Sequence, residues 1–117
     1  MANIDPVKIK YKDGIEYTLE FNRASVEHCE KAGFNADLLD TMPMTQIPLL
    51  FHYAFEMHHP TLKKKRTDEI LFDDLKGMSE ELALRLVELY NLAMSTLMKT
   101  DEAGDEESKN AKAEVIL

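Results

Sequence analysis

The sequence of 117 residues contains one cysteine, Cys29, and no tryptophan. A single thiol excludes a disulfide bond within the chain, which is typical of proteins from a reducing compartment. There are only four glycines, and they do not form the glycine-rich loop that binds phosphate groups. The longest apolar stretch, residues 47–57, is too short to span a bilayer, which requires about 20 residues, and no secretory signal opens the chain. We therefore expect a cytoplasmic protein without membrane contact.

Negative charge is in excess, with 22 Asp and Glu against 14 Lys and Arg and a formal net charge of −8. Such a chain repels nucleic acid and anionic membrane surfaces, so we expect neither as a partner. The one basic run, residues 63–66, has no interleaved aromatic residue. We interpret it as a solvated loop, or as a docking point for an acidic partner, rather than as a nucleic-acid site.

No pattern of catalytic residues stands out. His28 and Cys29 are adjacent, and neighbours on a helix point about 100° apart, so they do not form a nucleophile–base pair. His52, Glu56 and His59 recur at helical spacings of four and three, which offers zinc ligands on one face. They do not match the His-Glu-x-x-His motif of metalloproteases, and we favour a polar seam on a mostly buried helix. We predict no enzyme and no cofactor, with a metal-binding protein as the alternative.

Two N-terminal segments, residues 7–11 and 15–21, alternate apolar and polar side chains, which is typical of half-buried strands. A two-residue Asp-Gly turn between them would place apolar residues opposite polar ones. A three-residue loop, with Gly14 in the left-handed position of a bulge, gives one clean apolar face. The predicted pairs are Tyr11 with Ile15, Ile9 with Tyr17 and Val7 with Leu19.

Four helical segments follow this hairpin, at residues 23–32, 45–59, 67–75 and 80–99, with a further helical turn in residues 35–42. Asn22 is a favoured N-cap for the first helix and Gly33 a favoured stop, and Ser79 caps the last helix. The sequence predicts an α+β fold, in which the hairpin packs on a bundle of four to five helices. We expect one domain over residues 1–99. Residues 100–117 lack periodicity and hold five carboxylates between positions 101 and 107, which predicts a disordered acidic tail.

The sequence also predicts which residues begin the second helix and which residues of the first and last helices face the core. Thr45 is predicted to cap the second helix, with Pro48 in its first turn. The expected core-facing residues are Val26, Cys29 and Ala32 of the first helix, and Leu82, Leu86, Leu89, Tyr90, Ala93 and Leu97 of the last.

The helices carry more apolar surface than a single inward face requires. Residues 45–59 are apolar almost all the way round, and helices of that kind are covered by other helices or by partners. Six methionines lie beyond Met1, and their flexible thioethers suit surfaces that accept varied partners. We hypothesise that the following residues contact a client or a sister subunit: Leu50, Phe51, Tyr53, Phe55, Met57, Met94 and Met98.

The order of these segments resembles the tail assembly chaperones of long-tailed bacteriophages and prophages. The resemblance covers about residues 7–98 and rests mainly on YTLEFNRASVEHCEKAGF at positions 17–34. The segments IPLLFHYAFEMHHP, ILFDDLKG and ELALRLVELYNLAMSTLM follow it in the same order. No catalytic residues are carried over, because the family is not enzymatic.

This resemblance implies a protein that binds the tape measure protein in the bacterial host cytoplasm and keeps it soluble while tail tube subunits assemble around it. It also implies a homo-oligomer. The alternative is a small cytoplasmic adaptor that binds another cellular protein.

Overall fold

The structure, a computed structural model, describes residues 4–97 together with residues 112, 113, 115 and 116. It has an α+β fold, as predicted, in which an antiparallel β-hairpin is followed by four α-helices. The predicted acidic tail lies outside the described residues apart from those last four positions. The elements are β1 (Val7–Lys10), β2 (Glu16–Leu19), α1 (Arg23–Lys31), α2 (Pro43–Glu56), α3 (Lys64–Glu69) and α4 (Glu80–Met94). A 3₁₀ helix spans Ala36–Leu38, and a π-helical turn spans Ile70–Asp74.

The hairpin has the predicted register, with Val7 opposite Leu19 and Ile9 opposite Tyr17. Gly14 has a φ of 97°, so it occupies the left-handed position that closes a three-residue loop. The amide of Tyr11 donates to the Ile15 carbonyl at 2.7 Å and completes the first rung of the ladder. One face of the hairpin therefore carries the apolar side chains.

The two outer edges of the hairpin differ. At the β2 edge, the amide of Thr18 donates to His59 Nε2 at 2.9 Å, and the amide of Glu20 donates to the Ala54 carbonyl at 2.8 Å. The C-terminal end of α2 thus closes that edge. At the β1 edge, where Lys8 and Lys10 lie, the described residues contribute no further strand.

Helix α1 begins and ends with the predicted signals. The Asn22 side chain accepts a hydrogen bond from the Ser25 amide, and the Ser25 hydroxyl oxygen accepts one from the Asn22 amide, which forms a capping box. Gly33 has a φ of 107°, and the Phe34 amide donates to the Cys29 carbonyl at 3.1 Å, which terminates the helix. Cys29 is buried as expected, and so is Val26, whereas Ala32 is exposed because the chain turns away from the core at that point.

Helix α2 begins two residues earlier than predicted, since Pro43 takes the first helical position and Thr45 is not the cap. Pro48 therefore lies inside the helix rather than in its first turn. The helix also ends earlier, at Glu56, and His59 lies just beyond the turn at residues 57–58.

The third helical segment differs most from its prediction. The basic run enters α3, which starts at Lys64, so it is not a loop. The helix then widens into the π-helical turn at Ile70, where the amide of Leu75 donates to the Ile70 carbonyl five residues earlier at 2.9 Å. Ile70 and Leu71 are buried by this turn, while Phe72 remains exposed.

Helix α4 begins as predicted, with the Ser79 side chain accepting from the Leu82 amide at 3.1 Å. It ends at Met94, earlier than the expected residue 99. In the described residues, no helix is both long enough and apolar enough to cross a membrane.

The core lies between the apolar face of the hairpin and the helices. The Phe51 and Phe55 rings meet edge to face at 5.0 Å, and Tyr17 of β2 packs on Phe55 at 5.5 Å. Edge-to-face pairs of this kind add to the stabilisation from burial. The buried apolar residues are Ile9, Leu19, Phe21, Val26, Cys29, Phe34, Leu50, Phe51, Ala54, Phe55, Ile70, Leu71, Leu86, Leu89 and Tyr90.

Candidate protein-interaction site

Three of the residues assigned to client contact belong to the core instead. Leu50, Phe51 and Phe55 are each exposed by 1% or less. Helix α2 is central, and the hairpin, α1, α3 and α4 all pack against it. Its unusually apolar circumference is therefore covered within the protomer, and these three side chains are not contact surface in the folded chain.

The other assigned residues lie further out. Tyr53 is half-buried, with its ring 4.8 Å from that of His52, and burial raises the pKa of its hydroxyl. Met57 and Met94 are both exposed, by 41% and 39%. Met98 lies outside the described residues. Among the assigned residues that the structure describes, Met57 and Met94 are thus the accessible thioethers.

An apolar groove lined by the exposed Met94 lies between α1 and the C-terminal end of α4. Its volume is about 280 Å³. Val26 and Ala93 form its floor, and Met94 and Leu97 form its outer apolar wall. We name this surface the α1–α4 groove; its lining residues are Arg23, Val26, Glu27, Glu30, Ala93, Met94, Thr96 and Leu97.

The local structure at the end of α4 explains why the Leu97 side chain is exposed at the groove. The sequence pattern assigns Leu97 to the core stripe, but the side chain is 75% exposed. The hydroxyls of Ser95 and Thr96 donate to the carbonyls of Leu92 and Ala93, at 2.6 Å and 2.7 Å. Hydroxyls that bond the backbone in this way compete with helix continuation. The adjacent Ser95 and Thr96 are the sequence signal that points to this early end.

The two sides of the groove are joined at one end. Arg23 Nε donates to Thr96 Oγ1 at 3.0 Å, which ties the start of α1 to the turn after α4. Along α1, the carboxylates of Glu27 and Glu30 lie on the rim. The groove therefore combines an apolar floor with a rim of both charges, since Arg23 also lines it and Glu27 pairs with Lys31 at 3.0 Å.

The polar seam of His52, Glu56 and His59 does not converge on a metal site. Nδ1 of His52 bonds Thr67 Oγ1 at 2.8 Å, and His59 Nε2 accepts from the Thr18 amide. Glu56 bonds Nδ1 of His28. Each group thus contacts a different element, and the residues that the structure describes contain no cluster of three His, Cys, Asp or Glu side chains placed to hold a metal ion.

Burial shifts the pKa values of His52, His59 and Cys29 away from their ordinary values. It is the main cause that lowers the pKa of His52 and of His59, with Lys64 and His58 respectively as further causes. Burial also raises the pKa of Cys29 to about 12, so the thiol is neutral at physiological pH and is not an activated nucleophile. Both observations fit structural roles.

The fold and the groove define a small α+β protein with an apolar groove between α1 and α4. The chain belongs to a protein family described as a domain of unknown function (DUF5055), whose model matches residues 1–115. Searches of curated proteins and of solved structures each gave no match.

Proposed function

We propose that the protein is a tail assembly chaperone of a long-tailed bacteriophage or prophage. It binds the tape measure protein in the host cytoplasm and keeps that long helical protein soluble until tail tube subunits surround it. It does so without enzymatic activity. The observation that carries the proposal is the α1–α4 groove, where Met94 and Leu97 expose apolar surface.

The physical argument is that a helical client presents an apolar stripe that aggregates in water. A second protein protects the stripe by receiving it between two helices, the helix-in-groove mode of recognition. Exposed methionines suit a client with many different helical segments, because the unbranched thioether adapts to varied shapes. Met57 offers a further adaptable side chain outside the groove.

The segment order supports the same assignment, because it resembles that of the tail assembly chaperones. The resemblance also leads us to propose a homo-oligomer. Light scattering on the eluting protein during size exclusion is expected to give a mass that is a multiple of 13.4 kDa.

The deciding experiment is co-expression with the tape measure protein of the same phage or prophage. The client is expected to be mostly insoluble when expressed alone or with an unrelated acidic protein of similar size. With this chain it is expected to be soluble and to co-purify. A client that remains insoluble, or that is soluble but does not co-purify, would contradict the proposal. A gene position away from the tail tube and tape measure genes would favour the adaptor alternative.

A further inference from the structure

Two of the four histidines donate a proton to a carboxylate. Nε2 of His58 donates to the Glu20 carboxylate, just after β2, at 2.8 Å. Nδ1 of His28 in α1 donates to the Glu56 carboxylate of α2. An ionised carboxylate only accepts hydrogen bonds. Protonation of either ring therefore keeps its hydrogen bond and adds the attraction of opposite charges.

His52 is a donor as well. Its Nδ1 lies 2.8 Å from the hydroxyl oxygen of Thr67, and that hydroxyl gives its single proton to the Lys64 carbonyl at 3.1 Å. The hydroxyl oxygen therefore accepts from the ring. A protonated His52 keeps this contact between α2 and α3.

His59 is the exception among the four histidines. Its Nε2 accepts from the Thr18 amide at 2.9 Å, and an amide N–H can only donate. A proton on Nε2 would set two donors against each other and leave the amide without an acceptor, which is costly away from water. His59 is therefore the histidine whose contact is incompatible with protonation, and that contact joins the hairpin to the helices.

The groups around His59 do not favour a charged ring. Tyr17 of β2 packs on it at 5.2 Å, and the ring of His58 lies 6.5 Å away. A cavity of about 290 Å³ beside the ring is lined by three further titratable groups, which are His28 of α1 and His52 and Glu56 of α2. Glu56 would attract an imidazolium, but its carboxylate bonds His28. Burial and the charge of His58 lower the pKa of His59.

The hairpin is attached to the helices mainly along β2. Helix α2 is its principal helical neighbour, and the bonds from the Thr18 and Glu20 amides both end at α2 or just beyond it. On the other side, open grooves of about 470 and 320 Å³ lie between β1 and residues 74–75 and between β1 and the first turns of α4. An element that rests on one neighbour opens locally at a lower free energy than the core does.

We propose that His59 is an acid-sensitive latch, and that its protonation increases local opening of the hairpin while the helices stay packed. The three donor histidines hold α1 to α2, α2 to α3 and Glu20 to the end of α2 at the same pH. Protonated His58 pairs with Glu20 and repels a proton from His59, so it delays the opening. The latch goes beyond the proposed function and does not depend on it.

Hydrogen–deuterium exchange with mass spectrometry of peptides tests the latch on the full chain, in any oligomeric state. Exchange is measured at pH 7.5, 6.0 and 5.0 and divided by the intrinsic rate at each pH. The hairpin, residues 7–19, is expected to lose about tenfold in protection from pH 7.5 to 5.0. An ordinary pKa of 6.5 for His59 in the opened state limits this loss to about 30-fold. Helix α4 is expected to change by less than about threefold, and an equal loss in both elements would overturn the proposal.

Variants assign the loss to one histidine. His59→Gln supplies a neutral acceptor, so its hairpin protection is expected to change by less than about threefold over the same range. The matched control His28→Gln removes a donor histidine and is expected to retain the tenfold loss. His58→Gln is expected to move the loss to higher pH, because the charge beside His59 and the pair with Glu20 are both gone. A wild-type loss in His59→Gln, or no loss in His28→Gln, would overturn the proposal.

A second readout needs no substitution. NMR of the wild-type chain follows the His59 ring and the Thr18 amide in one pH titration. The amide resonance is expected to change with the same midpoint as the ring, because protonation breaks their hydrogen bond. A protonated His59 ring beside an unchanged Thr18 amide would overturn the proposal, whether or not the variants fold.

Discussion

The backbone amide of Thr18 in β2 donates a hydrogen bond to Nε2 of His59, across 2.9 Å and 41 positions of sequence. This contact needs an unprotonated Nε2, so the neutral ring carries its proton on Nδ1. Together with the bond from the Glu20 amide to the Ala54 carbonyl, it fastens the hairpin to the end of α2. The hairpin is otherwise a two-stranded sheet, which is marginal in isolation.

Acid is expected to destabilise the protein through this contact. Burial and the neighbouring His58 lower the pKa of His59 in the folded chain below its ordinary value of 6.5, and burial lowers that of His52 as well. A depressed histidine pKa means that the unfolded chain binds more protons, so this part of the stability is complete above about pH 6.5 and decreases as pH falls below it. Urea unfolding at pH 7.5, 6.0 and 5.0 measures the decrease.

The variant His59→Gln supplies a neutral acceptor at the same position. It is expected to lose less stability between pH 7.5 and 5.0 than the wild type does. The same loss in both proteins would show that His59 does not contribute to the acid sensitivity.

Phe51 in α2 and Met57 in the turn after it are expected to differ in their contribution to stability, because the first is buried and the second is exposed. Phe51 is fully buried, and Phe51→Ala is expected to lower the free energy of unfolding by about 3–5 kcal/mol through lost burial and a cavity. Met57 is 41% exposed. The substitution Met57→Ala is therefore expected to change the free energy of unfolding by less than about 1 kcal/mol. Chemical denaturation measures both, and similar values for the two variants would contradict this division.

The turn before α4 contains two successive left-handed residues, Lys76 with a φ of 61° and Gly77 with a φ of 106°. A Cβ added at Gly77 meets no atom within 4 Å, so Gly77→Ala tests backbone conformation alone. It is expected to cost about 1–2 kcal/mol. Lys76→Gly is expected to gain a few tenths of a kcal/mol, because relief of left-handed strain exceeds the added entropy of the unfolded chain, about 0.4–1 kcal/mol.

The same denaturation experiments serve both turn variants. A Gly77→Ala variant as stable as the wild type would contradict the strain argument. A large loss in Lys76→Gly would instead indicate that the lysine side chain contributes contacts of its own.

Local signals predicted the parts of the fold that local interactions determine. The hairpin register followed from the period of two and from Gly14, and the starts of α1 and α4 followed from the capping side chains of Asn22 and Ser79. Each of these features depends on residues within a few positions of one another. The structure has all of them.

The start of α2 and the π-helical turn were both missed, for different reasons. Helix α2 starts after Met42, whose side chain makes no capping hydrogen bond, so Thr45 appeared to be the better start. The π-helical turn at Ile70 is stabilised by the burial of Ile70 and Leu71, which is a tertiary effect.

The candidate site was predictable only in part. A helix that is apolar on all sides does not reveal which of its faces other elements cover, and Leu50, Phe51 and Phe55 turned out to lie inside. Met94 is exposed, but the groove that it lines depends on the early end of α4 and on the approach of α1. Recognition of that approach required the Arg23–Thr96 contact, which spans 73 positions.

The difference between the two hairpin edges bears on how the protein behaves when it is abundant. An uncovered strand is a template on which other chains polymerise into cross-β fibres. The β2 edge is blocked by α2. The β1 edge follows Pro6, which has no amide hydrogen, and it carries Lys8 and Lys10, which would face like charges in an antiparallel stack of β1 strands. We therefore expect the hairpin to resist fibre formation at high protein concentration.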